Sequence, residues 1–214
     1  MALSKVNFNS LNVTPSASKA VKFNSSNNGL ETGDVGGSLV LISTQTASSS
    51  SAISFTSGID STYKEYVFKF IDIHPATNDS RFSFQADTGT NTNYNQTITS
   101  TFFYAYHDEA DSQAAVSYVA GRDQAQGTSF QDITDGVGND NDQSTSGYLH
   151  LFDPSSTTFV KHFTGLSNIN GGDNISTTSY SAGYFNTTTA ITRVQFKFGS
   201  GNIDAGTIKM YGVL

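Results

Sequence analysis

Residues 191–198 read ITRVQFKF. Val194, Phe196 and Phe198 alternate with Arg193, Gln195 and Lys197, a period of two that puts apolar side chains on one face of a strand and polar ones on the other. Such a strand covers a core on one side and meets water on the other. From residue 37 onward, runs of the same character recur at roughly the ~8–12-residue spacing of sandwiches and barrels, separated by turn-forming residues. They include SLVLIST, AISF, YKEYVFKFIDI, RFSFQA, QTITSTFFYAY, AAVSYVA, GYLHLF, TFVKHFT, YSAGYF and TIKMYGV, and no stretch reads as a helix.

Two runs fix more detail. In EYVFKFIDI (65–73), Tyr66, Phe68 and Phe70 face one way while Val67, Ile71 and Ile73 face the other, which places the strand centrally with apolar residues on both sides. In GYLHLFDPSSTTFVKHFT (147–164), Asp153-Pro154-Ser155-Ser156 suits a type I turn, because proline presets φ at the second position. Pairing 153 with 156 sets Leu149 opposite Val160. Leu149, Leu151 and Val160 then share one face, and Tyr148, His150, Phe152, Phe159 and Lys161 the other. The fold expected is a single antiparallel β-sandwich of jelly-roll or lectin-like type over 37–214, preceded by an extended arm over 1–36. Core residues should be Phe68, Phe70, Phe82, Phe84, Val194, Phe196 and Phe198.

Composition narrows the function. The 214 residues are 36% apolar and 14% charged, so 16 Phe and 10 Tyr must carry the burial. A net charge of −7, with 11 basic residues that form no run, argues against a nucleic-acid partner. No stretch approaches the ~20 apolar residues of a membrane span, and MALSKVNFNS has no apolar signal core, so neither membrane insertion nor the usual export route is expected. With no cysteine there is no disulfide and no thiolate metal site. Stability outside a cell must then come from packing or from a homo-oligomer, for which a trimer that buries sheet edges and outer apolar faces is expected.

Catalytic signatures are weak. His74, His107, His150 and His162 are scattered, the hairpin register sends His150 and His162 to opposite faces, and no G-x-S-x-G elbow occurs. The expectation is a non-enzyme without a cofactor or resident metal. Two acidic segments have oxygen-ligand character, AYHDEAD with Asp108, Glu109 and Asp111, and DGVGNDNDQ with Asp135, Asn139, Asp140, Asn141 and Asp142, but neither has EF-hand spacing. For a sugar platform the chain offers tyrosine in place of tryptophan, at Tyr104, Tyr106, Tyr180 and Tyr184. Tyr104, Tyr106, His107, Asp108 and Glu109 together form the candidate surface-recognition cluster.

Three segments resemble a family. ISFTSGIDSTYKEYVFKFIDIHPATNDSRFSFQ (53–85), the pair FFYAYHDEAD and YLHLFDPSSTTFVKHF, and the closing VQFKFGSGNIDAGTIKMYGV are similar to small structural proteins of marine tailed bacteriophages, including those of cyanobacteria. The resemblance covers about 37–214. It implies a virion component with a sandwich fold, assembled in the host cytoplasm and displayed on the particle, and it carries no binding residues with it. Capsid decoration, as cement or spike, is the leading expectation, because no repeat or heptad of a fibre stem is present. The alternative is a tail fibre or appendage that binds a host-surface receptor or glycan. Because the sequence ends on a strand, the expectation is that it needs no C-terminal anchor and that the arm attaches it to other virion proteins. Phe8, Leu11, Val13, Val21 and Phe23 are the candidate docking residues.

Overall fold

The computed structural model describes residues 13–14, 19–34 and 38–214, which separate into two compact units, 1–38 and 39–214. None of the described residues is helical. In the first unit, β1 (Lys19–Phe23) pairs antiparallel with β2 (Leu30–Asp34) as a two-stranded ribbon.

The second unit is built from thirteen strands. In chain order these are β3 (Leu39–Thr46), β4 (Ile53–Phe55), β5 (Glu65–Pro75), β6 (Ser80–Thr88), β7 (Ile98–Asp108) and β8 (Ala114–Tyr118). There follow β9 (Ala125–Gly127), β10 (Gln131–Val137), β11 (Thr145–Phe152), β12 (Lys161–Gly171), β13 (Ile175–Phe185), β14 (Ile191–Phe198) and β15 (Ile203–Val213). All pairings are antiparallel. A four-stranded sheet runs β10-β6-β14-β4, and a nine-stranded sheet runs β3-β15-β5-β11-β12-β13-β7-β8, with β9 added beside β7.

The two sheets enclose one core. Phe68 and Phe70 from the large sheet interlock with Phe55, Phe82, Phe84 and Phe196 from the small one; the Phe196 ring lies 5.3–6.3 Å from all five of the others. All seven residues expected in the core are buried, and the alternation along Val194, Phe196 and Phe198 sets the inner face of β14.

Two local expectations are corrected. Along β5 the two-residue alternation breaks at Ile71–Asp72, where Asp72 takes φ 50° and two residues of β5 stand opposite one on each neighbour. This bulge returns Ile73 to the core face, where it is fully buried, while Val67, Lys69 and Ile71 point outward. Gly206 sits across from the bulge at φ 115°, and a Cβ there would lie 2.5 Å from the Asp72 carbonyl oxygen.

In the hairpin, Ser156 N–H does donate to Asp153 C=O at 3.0 Å, but the strands pair with Leu149 opposite Gly165 and Leu151 opposite Phe163. The reason is aromatic burial: this register drops Phe163 between Phe84 and Phe185, at ring separations of 5.0 and 5.6 Å. Lys161 consequently lies on the inner face, fully buried, with its ammonium donating to the carbonyls of Phe159 and Thr187. His150 and His162 share the outer face rather than opposing faces.

Candidate functional site

Strand β7 lies near one edge of the large sheet, and its inward residues run Ile98, Ser100, Phe102, Tyr104, Tyr106. The first three are buried under the small sheet. Past its edge strand, β10, cover gives out, and Tyr104 and Tyr106 are only half-buried. They form one wall of a cleft of about 230 Å³, whose opposite side carries Asp135 and Gly136 of β10, Asp79 from the β5–β6 turn, and Gly172 and Asp173 from the β12–β13 turn. The rings of Tyr104 and Tyr106 meet edge to face at 5.8 Å.

Glycine sets the depth of this cleft. At Gly136 a Cβ would come within 1.6 Å of Asp79 Oδ1, so only a residue without a side chain lets the Asp79 carboxylate lie across β10. Asp79 itself takes φ 56° at the turn.

Arg122, from the loop between β8 and β9, supports the floor. Its guanidinium lies 5.6 Å from the ring centres of both Phe102 and Tyr104 and pairs with the Asp135 carboxylate. Its Nη1 is buried without a hydrogen-bond partner, as are the Ser179 and Ser181 hydroxyls of β13. Beside it, Asp132 stands 3.7 Å from Arg81. Burial pushes the Asp132 carboxyl up to about 6, against the pull of the Arg81 and Arg122 guanidiniums. Asp79, Arg81 and Asp132 line an adjoining cleft of about 260 Å³.

The five residues of the recognition cluster are therefore divided. Tyr104 and Tyr106 line the cleft. His107 points to the opposite face of the sheet, with Nε2 3.1 Å from Asp111 Oδ1. Asp108 caps the turn that follows, accepting from the amides of Ser112 and Gln113 at 2.8 and 2.9 Å and from the Ser112 hydroxyl. The Ser112 hydroxyl, then the Gln113 amide, hold this carboxyl below its ordinary value. Glu109 is exposed and borders a separate shallow cleft with His107, Asn168 and Ser176. Among the described residues no three His, Cys, Asp or Glu side chains are placed to share a metal ion.

Asp79, Arg122, Asp132 and Asp135 are absent from the sequence-based cluster. They come from two turns and from β10, QDITDGV, whose two apolar residues carry little strand signal. Of the docking residues, Phe8 and Leu11 lie outside the described residues, Val13 is half-buried, and Val21 and Phe23 are 40% and 71% exposed on β1. Comparison with protein-family models, curated proteins and solved structures finds no significant match.

Proposed function

We propose that this chain is a non-enzymatic structural protein of a tailed-phage virion, displayed on the particle as a capsid decoration protein, with a sandwich of lectin-like or jelly-roll type. The observation that carries this reading is the N-terminal ribbon. A two-stranded hairpin alone is marginally stable at best in water, yet β1 and β2 hold Phe23, Val21 and Leu30 substantially exposed. Burial of these apolar side chains against another protein would stabilise so small an element, and the segment resemblance of 37–214 names the class of partner as other virion proteins. The test is incorporation into particles, read by mass spectrometry of purified virions. Deleting residues 1–34, or substituting Phe23→Ser, is expected to abolish incorporation while leaving the sandwich folded; normal occupancy of either variant would remove the ribbon as the anchor.

A second reading, a tail appendage that binds a host-surface glycan, is favoured by the Tyr104–Tyr106 cleft. It joins aromatic rings to carboxylate and amide acceptors and donors at Asp79 and Gln113, the combination that recognises a sugar ring. Glycan-array binding that is lost in Tyr106→Ala supports this reading, and a null result for the unaltered chain removes it.

A further inference from the structure

The outward face of the nine-stranded sheet carries exposed aromatic side chains. One in-register row crosses it: Tyr118 (β8), Phe103 (β7), Tyr180 (β13), Leu166 (β12), Tyr148 (β11), then Lys69 (β5) and Lys209 (β15). Tyr118, Phe103, Tyr180 and Tyr148 are 38–57% exposed, and Val116 beside them is 76% exposed. Phe103 and Tyr180 stack on each other at 4.9 Å and 10°, so each ring covers one face of the other. Rings used in this way stand as a ridge for packing and do not offer a free platform to a sugar.

The face is also uneven in a way that matches itself. On one side of β12, Ala182 and Gly183 floor an apolar hollow of about 370 Å³, walled by His162, Tyr184 and Thr101. On the other side, Tyr148, His150 and Phe152 form an aromatic ridge down β11, with successive ring separations of 5.0 and 6.0 Å. Hollow and ridge occupy strands equidistant from β12. Charge follows the same pattern. Lys69 and Lys209 stand directly opposite each other at one end, a repulsive arrangement in a sheet. Among the described residues neither makes an ion pair, and Lys69 contacts only the Tyr211 ring, at 5.6 Å. At the other end Asp123 accepts from the Tyr118 hydroxyl.

We infer that this face is an isologous interface with a second copy of the chain, related by a two-fold axis that runs parallel to the strands over β12. That operation sets Leu166 against itself, Tyr148 against Tyr180, and His150 into the hollow at Ala182. Lys69 meets Phe103, and Lys209 meets Tyr118 and Asp123, so both unpaired ammonium groups gain an aromatic face or a carboxylate. The seven strands overlapped, at ~4.8 Å spacing, and a depth of ~20 Å give roughly 600–700 Å² per copy. About 1,200–1,400 Å² in all falls within the range of specific interfaces.

Sedimentation equilibrium of the full chain is expected to give twice the chain mass at concentrations of about 10 µM. Ala182→Arg, which fills the hollow from a surface position, is expected to weaken association at least about tenfold. Its far-ultraviolet circular dichroism should be unaltered. Because the chain has no cysteine, Leu166→Cys gives a clean second readout: a bismaleimide of ~10 Å reach, the spacing of packed sheets, should link two copies. Ser54→Cys on the small sheet should not link. A monomer or a trimer overturns the inference, and so does a dimer that is insensitive to Ala182→Arg and fails to cross-link through Leu166→Cys.

Discussion

The Asp132 carboxyl is the residue on which the cleft's electrostatics turn. Its folded-state pKa of about 6 lies above the ordinary 3.8, so the folded chain holds this proton more tightly than the unfolded one. Stability therefore falls as pH rises through the interval from about 4 to 6, and the loss persists above it. Replacing the carboxyl by an amide removes the desolvated charge while keeping the shape. Asp132→Asn is expected to raise stability at pH 7 by ~1–3 kcal/mol and to flatten the decline of thermal midpoint between pH 4 and 6; an unchanged slope in thermal melts across that range would contradict it. Asp108 acts with the opposite sign, because its pKa is lowered. The stability it gives its turn is present above the ordinary carboxylate value and is lost as pH falls through the lowered one.

Among the elements, the bulge in β5 decides which residues of the largest sheet are core. Ile73 reaches the interior only because β5 carries one extra residue against each neighbour, Ile71 and Asp72 standing opposite Ser146 of β11 and Asp72 and Ile73 opposite Gly206 of β15, and Gly206 leaves room for the Asp72 carbonyl. Gly206→Ala places a Cβ 2.5 Å from that oxygen at a φ that side chains avoid, so a loss of ~1–3 kcal/mol is expected in urea unfolding. A neutral result would mean that β15 shifts freely past the bulge. This element also marks where sequence reading ends. β14 is legible because Val194, Phe196 and Phe198 alternate past the register shift at its start, whereas β5 carries the same residue types and, in mid-strand, an extra residue that no periodicity reveals. β10 escapes notice for a different reason: Ile133 and Val137 are its only apolar side chains, and its burial is conferred by strands β6 and β12. The candidate cleft was half legible on the same grounds. Tyr104 and Tyr106 stand out on a strong strand, but their adjacency to His107 in sequence is separation in space, and Arg122 and Asp79 arrive from turns that only the fold brings near.

On the scale of the whole molecule, the sandwich has its own continuous core, and a chain of residues 39–214 is expected to melt cooperatively within about 2 °C of the full chain. Differential scanning calorimetry checks this, and a midpoint lowered by 5 °C or more would show that the N-terminal ribbon shares in the core. The order of strands has a further consequence for how the protein is made. β15 lies between β3 and β5, and β14 between β4 and β6, so the last strands of this domain fill the interior of sheets begun by its first ones. The small sheet cannot close until residues 191–198 have left the ribosome, nor the large one until residues 203–213 have. Folding of this domain is thus limited by long-range pairing, on the slow side for its size. Until the last strand arrives, the nascent chain must keep phenylalanine-rich β5 and β6 from pairing with one another's counterparts on neighbouring chains.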